Sequence, residues 1–69
     1  METLDARGLS CPEPVVMMSR ALEKKPDFCR MVVDAPAPRE NVTRYAEHQG
    51  YQVSMSESDG EWTLDVTKA

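Results

Sequence analysis

The chain of 69 residues contains only two cysteines and one histidine, which limits the chemistry that it can support. Two cysteines are too few for a disulfide framework, and in a cytoplasmic chain both are expected to be thiols. Cys11, Cys29 and His48 cannot assemble a zinc site of the usual spacing. We therefore expect neither a structural disulfide nor a bound metal.

Long apolar segments and an excess of positive charge are also missing. The opening residues METLDARG contain no apolar core of a signal peptide, and no later run approaches about 18 apolar residues. Eight basic against twelve acidic residues give a net charge of −4, whereas binding through phosphate contacts needs a concentrated basic surface. The expectation is a cytoplasmic protein with no membrane span and no direct nucleic-acid partner.

The composition that remains is that of one small folded domain over residues 1–69. Hydrophobic residues make up 41% and charged residues 29% of the chain, and no repeat or low-complexity tract interrupts it. A chain of this size buries only about 60% of the surface that it exposes when unfolded. We therefore expect a thin core.

Hydrophobic periodicity predicts six elements in the order β-α-β-α-β-β. The predicted bounds are strands over 3–6 and 28–34, helices over 12–25 and 38–49, and a hairpin over 51–66 with an Asp59-Gly60 turn. The predicted inward faces are Val15, Met18 and Leu22 in the first helix and Val42, Tyr45, Ala46 and Gln49 in the second. Right-handed crossovers place both helices on one face of a four-stranded mixed sheet, which is a two-layer α/β sandwich.

The stretch Cys11-Pro12-Glu13-Pro14 is the strongest candidate for chemistry. A residue before proline is disfavoured in the helical region, so we expect Cys11 as the N-cap, with Pro12 at the first helical position and Pro14 at the third. The positive end of the helix favours a thiolate there, but only by about 0.3–1 kcal/mol. Glu13 adds a negative charge nearby. A mildly acidic thiol of this kind suits a group that accepts an atom and then surrenders it.

Other residues have ordinary structural explanations beside functional ones. A lone cysteine is more often a small buried side chain than a nucleophile, and Cys29, at the start of an apolar strand, fits that description. His48 is expected on the outer face of the second helix, so a Cys-His hydrolase is poorly supported. Trp62 and Tyr51 are predicted to lie in the core of the hairpin.

Two further pairs of residues allow two interpretations each. Val16 and Met17 form either an apolar contact patch for a partner or part of a broad core face. Arg7 and Arg39 either flank the thiol and guide an anionic partner, or are ordinary surface residues.

The segment LDARGLSCPEPV resembles the N-terminal signature of the TusA/SirA/YedF family of small sulfur-carrier proteins, whose hallmark is Cys-Pro-x-Pro at the start of the first helix. The matching residues are Cys11, Pro12, Glu13 and Pro14, preceded by Asp5 and Gly8. Chain length and element order agree with the family over essentially the whole chain. The segment over 39–53 is further similar to the N-terminal domain of YedF-type proteins, a branch associated with selenium metabolism.

The resemblance implies that Cys11 takes a sulfane sulfur from a cysteine desulfurase or a rhodanese, carries it as a persulfide and passes it to an acceptor protein. In that family the acceptors serve tRNA thiolation, molybdenum-cofactor enzymes or sulfur oxidation, and no dissociable cofactor is needed. Pro12 and Pro14 are expected to present the thiol and Glu13 to tune it. Full-length YedF-type proteins carry a second domain, so this chain, ending at Ala69, is either a stand-alone carrier or one domain of a larger protein.

Two alternatives remain beside the carrier. In the first, the chain is a non-catalytic regulatory or interaction module in which the Cys-Pro-x-Pro turn is structural. In the second, it is a thiol-disulfide redox protein, which is disfavoured because no Cys-x-x-Cys is present. The oligomeric state is left open by the sequence.

Overall fold

The computed structural model describes residues 2–10 and 12–69, which form six elements in the predicted order. The elements are β1 (Glu2–Asp5), α1 (Glu13–Leu22), β2 (Phe28–Val33), α2 (Pro36–His48), β3 (Tyr51–Ser58) and β4 (Glu61–Lys68). None of the helices in this described part is long and apolar enough to cross a membrane.

The four strands form one mixed sheet in the order β1-β2-β4-β3. β1 and β2 are parallel, while β4 runs antiparallel to both β2 and β3. Parallel neighbours need a crossover connection, and α1 supplies it between β1 and β2. The predicted two-layer α/β sandwich is therefore confirmed.

The core lies between the sheet and the two helices. Alternate residues of β2 are buried, as expected for a strand with one covered face. The buried apolar side chains are Ala6, Met18, Leu22, Cys29, Met31, Val33, Val42, Ala46, Tyr51, Leu64 and Val66. On the other face of the sheet, Arg30 pairs with Asp65 across β2 and β4, with 2.6 Å between Nε and Oδ1.

The hairpin agrees with the sequence pattern. Asp59 and Gly60 both have positive φ, at 54° and 79°, which is the requirement for the two-residue turn whose twist matches that of the strands. Tyr51 is buried as predicted, and its hydroxyl donates a hydrogen bond to the Pro26 carbonyl at 2.9 Å.

The helix ends differ from the prediction. α1 ends at Leu22 rather than at 25, because Lys25 precedes a proline and adopts a φ of 51°. α2 starts at Pro36 rather than at Pro38, since either proline suits a first turn and Ala35 is already extended. Gln49 was predicted to face inward, and this is wrong: it follows the last residue of α2 and is exposed.

This topology brings three connections to one edge of the sheet. The loop after β1, the start of α2 after β2, and the turn between β3 and β4 all lie there, because β1 and β2 end at that edge and β4 begins at it. The start of β2, which includes Cys29, and the end of β4 lie at the opposite edge. The residues around the predicted thiol position are thus collected by the fold at a single edge.

Candidate functional site

The site predicted from the sequence centres on Cys11, which lies outside the described residues, so its neighbours define the geometry. α1 begins at Glu13, with Pro12 as its N-cap, so the helix starts one residue later than predicted. Pro12 and Glu13 are exposed, whereas the side chain of Pro14 is almost completely buried. The two prolines of the motif are therefore not equivalent: one faces solvent and one joins the core.

The entry to α1 is closed by local hydrogen bonds. The Glu13 amide donates to the Ser10 carbonyl at 3.0 Å, and the Val16 amide donates to the Pro12 carbonyl at 3.0 Å. Pro14 has no amide hydrogen, but the second position of a helix has no intrahelical acceptor for one. The proline thus fixes the first turn without the loss of a helical hydrogen bond.

The loop before this turn depends on a glycine. The Leu9 amide donates to the Ala6 carbonyl at 3.3 Å, and Gly8, between them, has a φ of 76°. A positive φ at the third residue of a four-residue turn is the mark of a type II turn and strongly favours glycine. Gly8 therefore allows the chain to turn sharply from β1 toward α1.

An acidic residue from the neighbouring strand holds this turn. The Gly8 amide donates to the carboxylate of Asp34, at 3.1 Å from Oδ1 and 3.0 Å from Oδ2. Asp34 directly follows β2, so the bond joins the ends of two adjacent parallel strands. Sequence analysis missed Asp34; the available signal was a polar residue at the carboxyl end of a buried strand.

Arg7 is engaged by carboxylates on both sides. Its guanidinium forms a two-pronged ion pair with Asp5, at 2.9 Å from Nε to Oδ1 and 3.0 Å from Nη2 to Oδ2. A longer contact of 3.4 Å joins Nη1 to Glu61. The hydrogen bonds from Arg7 lower the pKa of Asp5 from its ordinary 3.8 to about 2, and the same pairing raises the pKa of Arg7. This arginine is therefore largely neutralised by its neighbours.

Arg39 lies at the same edge but has a different partner. Its guanidinium carbon is 4.9 Å from the centre of the Trp62 ring, within the range of a cation–π contact. Nη2 also pairs with Glu40 at 3.1 Å. Trp62, predicted as a core residue, is half-buried beneath this arginine. The structure thus brings Arg7 and Arg39 to the start of β4, where one contacts Glu61 and the other covers Trp62.

Two exposed apolar side chains flank the motif in the sequence. Leu9 and Val16 are 36% and 37% exposed, and with Met55 they are the exposed large hydrophobic residues of the described chain. Met17, considered together with Val16 as a contact patch, instead packs partly buried against the core. Of that pair, Val16 is the more exposed.

The remaining candidates are separated from this edge or have no ligand partners. Cys29 is fully buried at the start of β2, as expected for a packing residue. His48 is exposed at the last position of α2. Within residues 2–10 and 12–69, no three His, Cys, Asp or Glu side chains are grouped as metal ligands.

The architecture is that of a small two-layer α/β protein with its motif loop at one sheet edge. The family model described as sulfurtransferase TusA matches residues 2–68. The chain therefore belongs to the TusA family.

Individual relatives agree with this assignment. A proposed sulfur carrier protein of Methanocaldococcus jannaschii is 37% identical over 59 residues, which cover 83% of this chain and 79% of the relative. The crystal structure of a SirA-like protein from Desulfitobacterium hafniense superimposes with a TM-score of 0.89 at 32% identity, covering 97% of this chain and 96% of that one. Family membership and these relatives support a sulfur-carrier role, which implies partners that donate and receive sulfur.

Proposed function

We propose that this protein is a persulfide-carrying sulfurtransferase in which Cys11 accepts and relays one sulfane sulfur. The Cys11 thiolate attacks the outer sulfur of a persulfide on the donor, so that a new sulfur–sulfur bond forms on Cys11 and the donor's sulfur–sulfur bond breaks. The donor leaves as a thiolate, and the hydrogen of the persulfide stays on the transferred sulfur. Attack by the acceptor on that outer sulfur then releases the Cys11 thiolate, with no net oxidation or reduction.

The observation that supports this proposal best is the different anchoring of the chain on the two sides of Cys11. On one side, the Gly8 amide is held by Asp34; on the other, Pro14 is buried at the second position of α1. A reactive group works best when the residues around it are fixed by packing and hydrogen bonds. Two short anchored segments on either side of one cysteine suit a thiol that must meet a partner's sulfur in a defined orientation.

The electrostatic contribution is modest by design. The N-terminus of α1 favours a nearby anion, and an exposed charge there gains about 0.3–1 kcal/mol, less than one pKa unit. A strongly acidified thiolate is a good leaving group but a weak nucleophile. A carrier thiol must act both as nucleophile and as leaving group, so a mildly lowered pKa of Cys11 suits sulfur relay better than a strongly lowered one.

For the partners, we propose a cysteine desulfurase or a rhodanese as the donor, in the cytoplasm. The acceptor is a protein of tRNA thiolation, of molybdenum-cofactor synthesis or of sulfur or selenium metabolism. No dissociable cofactor enters the proposed reaction, because the sulfur is held covalently by the chain.

The disulfide alternative is weakened by the position of Cys29. Its side chain is fully buried in the core, at the sheet edge opposite the loop after β1. In a dithiol redox protein the two cysteines must form a disulfide, which requires their Cα atoms to lie about 4.4–6.8 Å apart. The interaction-module alternative makes a different prediction, because it requires that Cys11→Ser keep full activity in cells.

Intact-mass spectrometry without reductant tests the proposal. Wild-type, Cys11→Ser and Cys29→Ser proteins are incubated with cysteine and a cysteine desulfurase, and in parallel with a rhodanese and its sulfur substrate. We expect a gain of one sulfur atom in wild type and in Cys29→Ser, and none in Cys11→Ser. Absence of the gain from wild type with every active donor would contradict the carrier function.

A further inference from the structure

We propose that Asp34 is a positioning residue for sulfur transfer, acting through its hydrogen bonds to the Gly8 amide. Both carboxylate oxygens lie within 3.1 Å of that nitrogen, and the two residues are 26 positions apart in the chain. This inference rests on the proposed function, because it concerns the loop that carries Cys11. We refer to the Gly8 amide and the Asp34 carboxylate together as the loop clamp.

The loop clamp joins the stretch over residues 8–10 to the end of β2. The other hydrogen bonds of Gly8, Leu9 and Ser10 with described residues are local: Leu9 bonds to Ala6, and Ser10 accepts from Glu13. Gly8 lies three residues before Cys11 in the sequence. Among the hydrogen bonds of the described residues, the loop clamp is therefore the one that ties residues 8–10 to the sheet, one step further along the loop than the contact of Arg7 with Glu61.

Asp34 itself is held on both sides. Val33, before it, is fully buried in β2, and Ala35, after it, is the extended N-cap of α2 with Pro36 next in the chain. A proline fixes its own φ and restricts the residue before it. The carboxylate thus projects from a backbone with little freedom, as a positioning group requires.

The charge of Asp34 and its hydrogen bonds have opposite effects on the thiol. A carboxylate near a thiolate disfavours the thiolate through like-charge repulsion, so removal of the charge alone makes the thiol more acidic. Loss of the acceptor releases the loop from its fixed position at the N-terminus of α1 and makes the thiol less acidic. Asp34→Asn and Asp34→Ala lose the same charge, but the asparagine retains a carbonyl acceptor.

The experiment compares these two variants with wild type and with Asp27→Ala as a matched control. Asp27 is exposed and lies just before β2, at the opposite sheet edge, so its variant loses an equal charge at a distance. Three quantities are measured: the initial rate and final extent of sulfur loading from the desulfurase, the rate of Cys11 alkylation by iodoacetamide against pH in a Cys29→Ser background, and the hydrogen exchange of the Gly8 amide.

We expect Asp34→Ala to load sulfur about tenfold more slowly than wild type, since a hydrogen bond to a charged group acts on that scale. The loading rate of Asp34→Asn should stay within about threefold of wild type, and that of Asp27→Ala should equal it, because both variants keep an acceptor for the Gly8 amide. The alkylation midpoint should be higher in Asp34→Ala than in Asp34→Asn, and the Gly8 amide should exchange faster in Asp34→Ala. A purely structural role would leave the alkylation midpoint unmoved.

Equal loading rates and equal alkylation midpoints in the two Asp34 variants would overturn the positioning role while leaving the carrier function intact. Slow loading by both variants would assign the effect to the charge and overturn it as well. Failure of wild type to load sulfur would instead contradict the proposed function, so the two failures are distinguishable. Should Asp34→Ala not fold, Asp34→Leu, which is close to aspartate in size and carries no acceptor, takes its place.

Discussion

The unequal burial of the two motif prolines gives a quantitative prediction for Pro14→Ala. This change removes the ring carbons Cγ and Cδ from an almost fully buried position, and each buried methylene contributes about 0.8 kcal/mol. The unfolded chain also gains freedom, which costs about 0.4–1 kcal/mol more. We expect a loss of about 2–2.6 kcal/mol in the free energy of unfolding, from these two effects together.

Pro12→Ala is the matched control, because it makes the same chemical change at an exposed position. Only the effect on the unfolded chain applies there, so the loss should not exceed about 1 kcal/mol. For a domain of this size, the melting temperature should fall by about 8–21 °C for Pro14→Ala and by clearly less for Pro12→Ala.

Urea unfolding followed by circular dichroism measures both losses, and thermal unfolding checks their order. The free energy of unfolding of a chain this long is on the order of 3–10 kcal/mol. Over most of that range it exceeds the expected loss, so Pro14→Ala should remain folded enough to be measured. Equal losses in the two variants, or a larger loss for Pro12→Ala, would refute the argument that Pro14 anchors the start of α1 in the core.

Three further predictions concern the surroundings of the loop. Arg7→Gln should return the pKa of Asp5 from about 2 toward 3.8, as followed by NMR of the carboxyl carbon. The stability advantage of wild type over this variant should be complete above pH 3.8 and disappear as the pH falls through 2. A titration midpoint of Asp5 that stays near 2 in the variant would contradict the pairing. Arg39→Leu should change the emission of Trp62, the single tryptophan of the chain, through loss of the stacked cation, whereas an unchanged spectrum would mean that the contact is absent in solution. Val16→Ser, at an exposed helix position, should lower kcat/KM for loading by a partner enzyme by a few-fold while the melting temperature changes little; an unchanged kcat/KM would exclude Val16 from the contact surface.

The order of the elements was predictable because each carries its own local signal. The alternation over 51–66 and the Asp59-Gly60 pair predict the hairpin without knowledge of its neighbours, and both central residues have the expected positive φ. Helix ends were less predictable, since two prolines in APAP are equally suited to a first turn. The choice of Pro36 depends on where β2 ends, which is a property of the folded sheet.

The surroundings of the candidate site were only partly predictable. The Cys-Pro-x-Pro motif directed attention to residues 11–14, but the burial of Pro14 and the exposure of Pro12 depend on how α1 sits on the sheet. The contact between Asp34 and Gly8 joins residues far apart in the chain, so no local pattern predicts it. Long-range partners of this kind follow from strand order, which the sequence specifies through packing rather than through spacing.

The complete burial of Cys29 has a practical consequence for measurement. In the Cys11→Ser variant it is the chain's one remaining thiol, sealed in the core between the sheet and the helices. A thiol reagent reaches such a sulfur only when the surrounding structure opens. The labelling rate of Cys29 then reports how often the core opens in native buffer, without added denaturant, so that Cys29 serves as an internal probe of conformational opening.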